Sequence, residues 1–228
     1  RYNGGGSIDT AVYLASMIAG QHQGQLLVKE KWNTKMQAAA NLQGATVQYL
    51  TDKMKDGTPI HSLQLSKLYV LTTERTASAS ELVINGLKPY MPITQIGQTT
   101  VGKNQGSITI YDYIDKAGKV KNPKHKWAMQ PIVLRSENAN GFGAYENGIA
   151  PDIFLREQLG RLGVLGDENE PLLAKAIEEI TGVPRFTAST RSRRSTRTKE
   201  LSFKDIDNSR SGAAYYNRMY IPNQNTDE

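Results

Sequence analysis

Apolar residues recur at helical spacing directly after a run of three glycines. Ile8, Ala11, Val12 and Ala15 share one face and Gly20 is a natural stop, which predicts a helix from about Ile8 to Ala19. Leu26-Leu27-Val28 is a short apolar run inside Gln25 to Trp32, while Thr34 to Lys55 has no clear period and is assigned no element. Leu68-Tyr69-Val70-Leu71 has the length and composition of a buried strand. It gives way to a polar turn, Thr72 to Arg75, and then to a second helix that closes near Gly86 and Pro89. Pro92 to Gly97 reads as a short strand, and Ser107-Ile108-Thr109-Ile110-Tyr111 alternates apolar and polar as a half-buried strand does. Asp115 to Lys119, with Gly118, predicts a hairpin turn, Gln130 to Leu134 another strand, and Asn138 to Gly143 a loop. Leu173, Ala176, Ile177 and Ile180 define a terminal amphipathic helix that begins near Pro171, a favoured first-turn residue. Strands and helices alternate along one α/β domain, with no internal repeat.

Composition adds three constraints. With 228 residues, 38% hydrophobic and 22% charged, the chain is long enough to bury a sizeable core, and no apolar run approaches the roughly 20 residues of a membrane helix. It contains no cysteine, which excludes disulfides, thiol catalysis and cysteine-ligated zinc. The net charge of +6 is concentrated in the last stretch, where nine Lys or Arg face five Asp or Glu from Arg185 onward. That stretch shows little apolar periodicity, so residues 183–228 are expected to form a basic, largely disordered tail. Lys and Arg clusters can bind phosphate, but a solvated tail accounts for the composition and nucleic acid is not the expected partner. The opening residue is Arg1, within what reads as the middle of a strand-to-loop motif, so the expectation is a fragment of a longer chain.

Two segments carry candidate chemistry. Thr76-Ala77-Ser78-Ala79-Ser80-Glu81 lies where a strand hands over to a helix N-terminus, whose unpaired N–H groups can meet a developing negative charge. A serine there can act as a nucleophile. Ser78 to Glu81 is also a capping box, and because caps of this kind are common, local sequence alone favours the cap. Gly97 to Asn104 nearly matches the phosphate-binding loop G-x-x-x-x-G-K-[ST]. The match fails at Asn104, which has no hydroxyl for Mg²⁺, and a strand is expected where that motif requires a helix, so no nucleotide is expected to bind. His22, His61 and His125 sit in polar surroundings that suit surface histidines better than the base of a Ser-His-Asp triad. Asp112, Asp115 and Asp152 lack the short spacing of a metal site, and no metal or cofactor is expected.

Arg1-Tyr2-Asn3-Gly4-Gly5-Gly6 resembles the Arg-x-Asn-x-Gly-Gly motif of the C-terminal processing peptidases, or tail-specific proteases. Ser78-Ala79-Ser80-Glu81 resembles their nucleophile signature, Gly102-Lys103 their Gly-Lys element, and Gly148-Ile149-Ala150-Pro151-Asp152 their late Gly-Ile-x-Pro-Asp segment. The separation of Ser78 from Lys103, 25 residues, is also that family's. The resemblance implies a crotonase-like (ClpP/crotonase-type) α/β core of repeated strand-strand-helix units over residues 1–182. It implies a serine endopeptidase that cleaves polypeptides near C-termini or in unfolded segments. Ser78 would be nucleophile, Lys103 general base and Glu81 the supporting acid, with Ala79 and one of Gly5 or Gly6 forming the oxyanion hole. Where the family continues Gly-Lys-Gly-x-x-Gln, this chain reads Gly102-Lys103-Asn104-Gln105-Gly106-Ser107, so the residue that orients the lysine is open between Gln105 and Ser107. By the same analogy a PDZ domain can precede the core, and the setting is the bacterial periplasm or cell envelope. The alternative is a non-catalytic peptide-binding module on the same fold.

Overall fold

In the computed structural model, residues 1–44, 46–158, 161–185 and 219–220 are described. Helix α1 (Ile8–Ile18) starts at Ser7, whose side chain accepts the Thr10 amide, and a 3-10 turn (Gly20–His22) leads on to strand β1 (Leu26–Trp32). The stretch without a clear period contains a short helix, α2 (Gln37–Leu42), and strand β2 (Val47–Tyr49). Strand β3 (Leu68–Thr72), helix α3 (Ala79–Leu87) and strand β4 (Ile93–Gly97) form a parallel strand-helix-strand unit. Short strands β5 (Gln105–Ser107), β6 (Ile110–Tyr111), β7 (Ala128–Met129), β8 (Ile132–Glu137) and β9 (Ile153–Phe154) follow, then helix α4 (Pro171–Thr181) and strand β10 (Met219–Tyr220).

The strands make a mixed α/β architecture. Five of them pair in the order β10-β5-β8-β1-β2, three in the parallel order β3-β4-β9, and β6 with β7 forms a separate hairpin. Lys29 opposite Glu137 and Trp32 opposite Leu134 set the central antiparallel register, and Leu68 opposite Ile93 through Thr72 opposite Gly97 set the parallel one. Helix α3 stands between the two sheets. Its Leu82, Val83 and Leu87 join Ile8, Val12 and Ala15 of α1 and Leu27 and Val28 of β1 in the largest apolar cluster. Full burial of each such leucine contributes roughly 2 kcal/mol. Ile84, on another face of α3, meets Tyr145 and Ile149. Ile96 of β4 packs on Leu172 and Ala176 of α4.

Three expectations change. Residues 107–111 are not one strand: β5 ends at Ser107 in the larger sheet, and β6 pairs with β7 in the hairpin, so the alternation spans two sheets. Helix α4 buries Leu172, Ala174 and Ala176 and leaves Ile180 60% exposed, so of the expected ridge Ala176 is buried, Leu173 and Ile177 are half-buried and Ile180 faces out. The inward face is the one whose Leu172 and Ala176 pack on Ile96 of β4. Within the expected tail, Met219 and Tyr220 pair in parallel with Gly106 and Ser107, and Met219 is buried in the largest cluster. The rest of that tail, 186–218 and 221–228, lies outside the described residues.

Strand β1 carries a buried titratable side chain. Glu30 of β1 is buried, one carboxyl oxygen accepting from Gln48 Nε2 at 2.8 Å and the other unpartnered among the described residues. Burial pushes its pKa from 4.5 up to about 7, against hydrogen bonds from Gln48 and Trp32 that favour the charged form. Because the folded value is the higher one, this contribution to stability is whole below about pH 4.5 and is lost as pH rises through about 7. At about 1.4 kcal/mol per unit the loss is about 3 kcal/mol. Glu30→Gln is therefore expected to raise the urea midpoint at pH 8 and to flatten its fall between pH 5 and 8; an unchanged slope would place that titration elsewhere.

Candidate active site

Strand β3 ends at Thr72 and the chain must turn before α3 begins. The turn is closed by Thr73 N–H donating to Thr76 Oγ1 at 3.0 Å and by Thr76 N–H donating to the Thr73 carbonyl at 2.9 Å. It delivers Ser78 at φ +62, ψ −121, a left-handed conformation that a non-glycine residue adopts at a cost of about 1–3 kcal/mol. Ser78 is completely buried, and its hydroxyl oxygen has no hydrogen-bond partner among the described residues. Ala79 is the first residue of α3, so its N–H lacks an intrahelical acceptor.

Glu81 holds this turn from inside the helix. Its Oε2 accepts the Ser78 N–H at 2.7 Å, the arm of a capping box that the sequence suggested, and the same oxygen accepts the Lys103 N–H at 2.8 Å. Its Oε1 accepts the Gly102 N–H at 2.7 Å and the Thr100 hydroxyl at 2.5 Å. The backbones of Ser78 and Lys103 are thus pinned to one oxygen atom, no further apart than two hydrogen bonds allow. Gly102 can take part because it has no side chain. At its φ of +89 a Cβ would lie 2.3 Å from the Glu146 carbonyl oxygen and 2.4 Å from the Gly148 nitrogen. The Lys103 side chain is half-buried.

The glycine-rich start of the chain lies against the same turn. The Ala77 N–H donates to the Asn3 carbonyl at 3.1 Å, and a Cβ on Gly5, at φ +101, would come within 2.6 Å of Ser78 Cβ and 2.8 Å of the Ala79 nitrogen. Only glycine fits there. The Gly5 N–H already donates to Asn3 Oδ1 at 2.9 Å, whereas the Gly6 N–H makes no hydrogen bond among the described residues. Arg1 fixes the segment from behind, 2.7 Å from Glu170 and 3.0 Å from Glu157, and the Glu170 carboxylate also caps α4 through the Leu172 and Leu173 amides.

The structure therefore brings Ser78, Ala79, Glu81, Gly5 and the Lys103 backbone together. The Ser107 hydroxyl donates to the Met219 carbonyl at 3.1 Å. Gly97 closes β4 and a strand, β5, follows Asn104, so the phosphate-loop context is absent. His22 lies against the Tyr90 ring, His125 bonds Asp112 on the hairpin, and His61 is exposed; none of them contacts Ser78 among the described residues. Sequence reasoning missed Thr100, whose hydroxyl sits in a run of polar residues with nothing to distinguish it from Gln98 or Thr99.

The family model described as peptidase family S41 matches residues 1–154. Among solved structures, the chain resembles a protein assigned as an S41 protease from Bacteroides fragilis NCTC 9343, with 30% identity and a TM-score of 0.64, over 80% of this chain and 43% of that one. The chain thus spans less than half the length of that protein. A photosystem II D1 C-terminal processing protease is 24% identical with a TM-score of 0.45, over 68% of this chain and 33% of that one. No curated protein matches the chain.

The carboxyl contacts make Glu81→Gln a severe change despite its size. An amide NH₂ in place of either oxygen faces two donors and strands at least one of them, at about 1–3 kcal/mol per buried unsatisfied group. Chemical denaturation is expected to give a loss of at least about 2 kcal/mol; a loss below about 0.5 kcal/mol would mean that the four bonds are not maintained together in solution.

Proposed function

This chain belongs to peptidase family S41, and we propose that it is the catalytic core of a serine endopeptidase working through a Ser78–Lys103 dyad. The observation that carries the reading is the shared oxygen of Glu81, which holds the Ser78 and Lys103 amides together while the Ser78 hydroxyl stays unpartnered. A nucleophile needs a free hydroxyl, a base near it and donors for the oxyanion. Ser78 attacks the scissile carbonyl, Lys103 removes the hydroxyl proton, and water later hydrolyses the acyl-enzyme. The oxyanion rests on the Ala79 N–H with the Gly6 N–H as second donor, since the Gly5 N–H is bonded within its own turn. Lys103 can accept a proton only when it is itself neutral.

The same reading takes residues 1–182 as the peptidase core, of the crotonase type, with 183–228 as an appended basic segment. Its substrates are polypeptides cut near C-termini or in unfolded segments, in an extracytoplasmic setting and with a PDZ domain as a candidate neighbour in the longer protein. Among the described residues no helix is long and apolar enough to cross a membrane.

The test is hydrolysis of an unfolded polypeptide by the full-length protein beside Ser78→Ala and Lys103→Ala, both checked for folding. Each variant is expected to lose at least about a thousandfold in kcat/KM, roughly 4 kcal/mol of transition-state stabilisation. The wild-type rate should rise with pH as the base loses its proton. Activity kept by Lys103→Ala would remove Lys103 as base, and an inert wild type that still binds peptide would favour a recognition module.

A further inference from the structure

Of the four donors on Glu81, three are backbone N–H groups of the Ser78 and Gly102-Lys103 segments, and the fourth is the Thr100 hydroxyl. That hydroxyl is also an acceptor, taking the Ile149 N–H at 2.7 Å, and the Thr100 N–H donates back to the Ile149 carbonyl at 3.2 Å. A hydroxyl has one proton. With the Ile149 N–H occupying an acceptor site, the Thr100 proton is directed to Glu81 Oε1.

Beyond Ile149 the polar chain continues through the core. Gln95 Nε2 donates to the Ile149 carbonyl at 2.9 Å and to Thr72 Oγ1 at 3.0 Å. The Gln95 N–H donates to Asp152 Oδ2 at 2.7 Å, and the Asp152 N–H returns to the Gln95 carbonyl at 2.9 Å. Thr72, Gln95 and Thr100 are all buried. Glu81 is therefore anchored by Thr100 to β4 and to the segment between Gly148 and Asp152, which holds neither Ser78 nor Lys103.

We propose that Thr100 is a positioning residue for the dyad, orienting the Glu81 carboxyl, and through it the Ser78 and Lys103 amides, by clipping Glu81 to Ile149. The inference rests on the Ser-Lys reading above. The three backbone donors move with the segments that they position, so they cannot by themselves fix where Glu81 points. Ile149, which belongs to neither segment, supplies the outside reference, and the Thr100 hydroxyl is the link to it. Its methyl has no part in this, so serine can replace it and valine, of the same shape, cannot.

Steady-state hydrolysis of fluorescein-labelled unfolded casein by the full-length protein separates the possibilities. Thr100→Val is expected to lower kcat ten- to a hundredfold with KM within twofold of wild type, and Thr100→Ser to restore kcat to within threefold. Wild-type kcat in a folded Thr100→Val, or an equal loss in Thr100→Ser, overturns the proposal. Should Thr100→Val not fold, Thr100→Ala, which puts no methyl beside the carboxyl, carries the same test. If both unfold while Thr100→Ser is active, the hydroxyl maintains the fold and does not position the dyad, and the proposal falls. Ser78→Ala run in parallel keeps the two readings apart. Turnover retained by Ser78→Ala sinks the dyad itself, whereas a dead Ser78→Ala beside an unimpaired Thr100→Val sinks only the role of Thr100.

Discussion

The carboxyl group of Glu81 is fully buried, and a group of that polarity is tolerated inside a protein only where its oxygens are satisfied by hydrogen bonds. Here the satisfaction comes from three separate stretches of chain: the turn before α3, the Thr100 to Lys103 loop and, through Thr100, the segment at Ile149. The need to satisfy one buried acid therefore decides how a helix, a loop and a distant segment stand to one another. Moving any of them strands a donor or an acceptor. The spacing of Ser78 and Lys103 follows from this constraint, because both backbones end on the same oxygen.

The same constraint explains how Ser78 can keep a costly backbone conformation. A residue at φ +62 relaxes unless its neighbours leave it no alternative. Its N–H is held by Glu81, the preceding Ala77 N–H by the Asn3 carbonyl, and Gly5 fills the space against its Cβ. Arg1 holds that glycine-bearing segment in turn through Glu170, which caps α4. Helices α3 and α4 are thus both tied to the strained serine. Apolar packing on each side, Leu82 and Leu87 against α1 and β1 and Ile96 against α4, gives those ties rigid supports.

Much of this was legible in the sequence, and the limits have physical causes. Local signals found α1, β3, α3 and β4, because each combines a clear apolar pattern with a capping or breaking residue at its end. Motif resemblance brought Ser78, Glu81 and Lys103 forward, and the Glu81 carboxyl joins them by accepting the Ser78 and Lys103 N–H groups. What failed depended on pairing between distant residues. Whether 107–111 is one strand or two is decided by β8 and β7, and the inward face of α4 by its packing on Ile96. Met219 looked like tail because a two-residue strand has no period to read; its place comes from the Ser107 hydroxyl and the edge of β5.

Thr100 was invisible for a further reason. Hydrophobic periodicity says nothing about a loop, and a threonine among polar neighbours carries no local sign that its hydroxyl is buried. Its importance is relational: one proton and one acceptor site, each matched to a group from a different part of the chain. Buried polar groups of this kind gain specificity from being fully paired, since a displaced partner leaves an unsatisfied atom in low dielectric. A site built on backbone amides can therefore be held in register by a single side-chain hydroxyl, provided that hydroxyl answers to a fixed point outside the site. Ile149, itself tied through Gln95 to Thr72 and Asp152, is such a point.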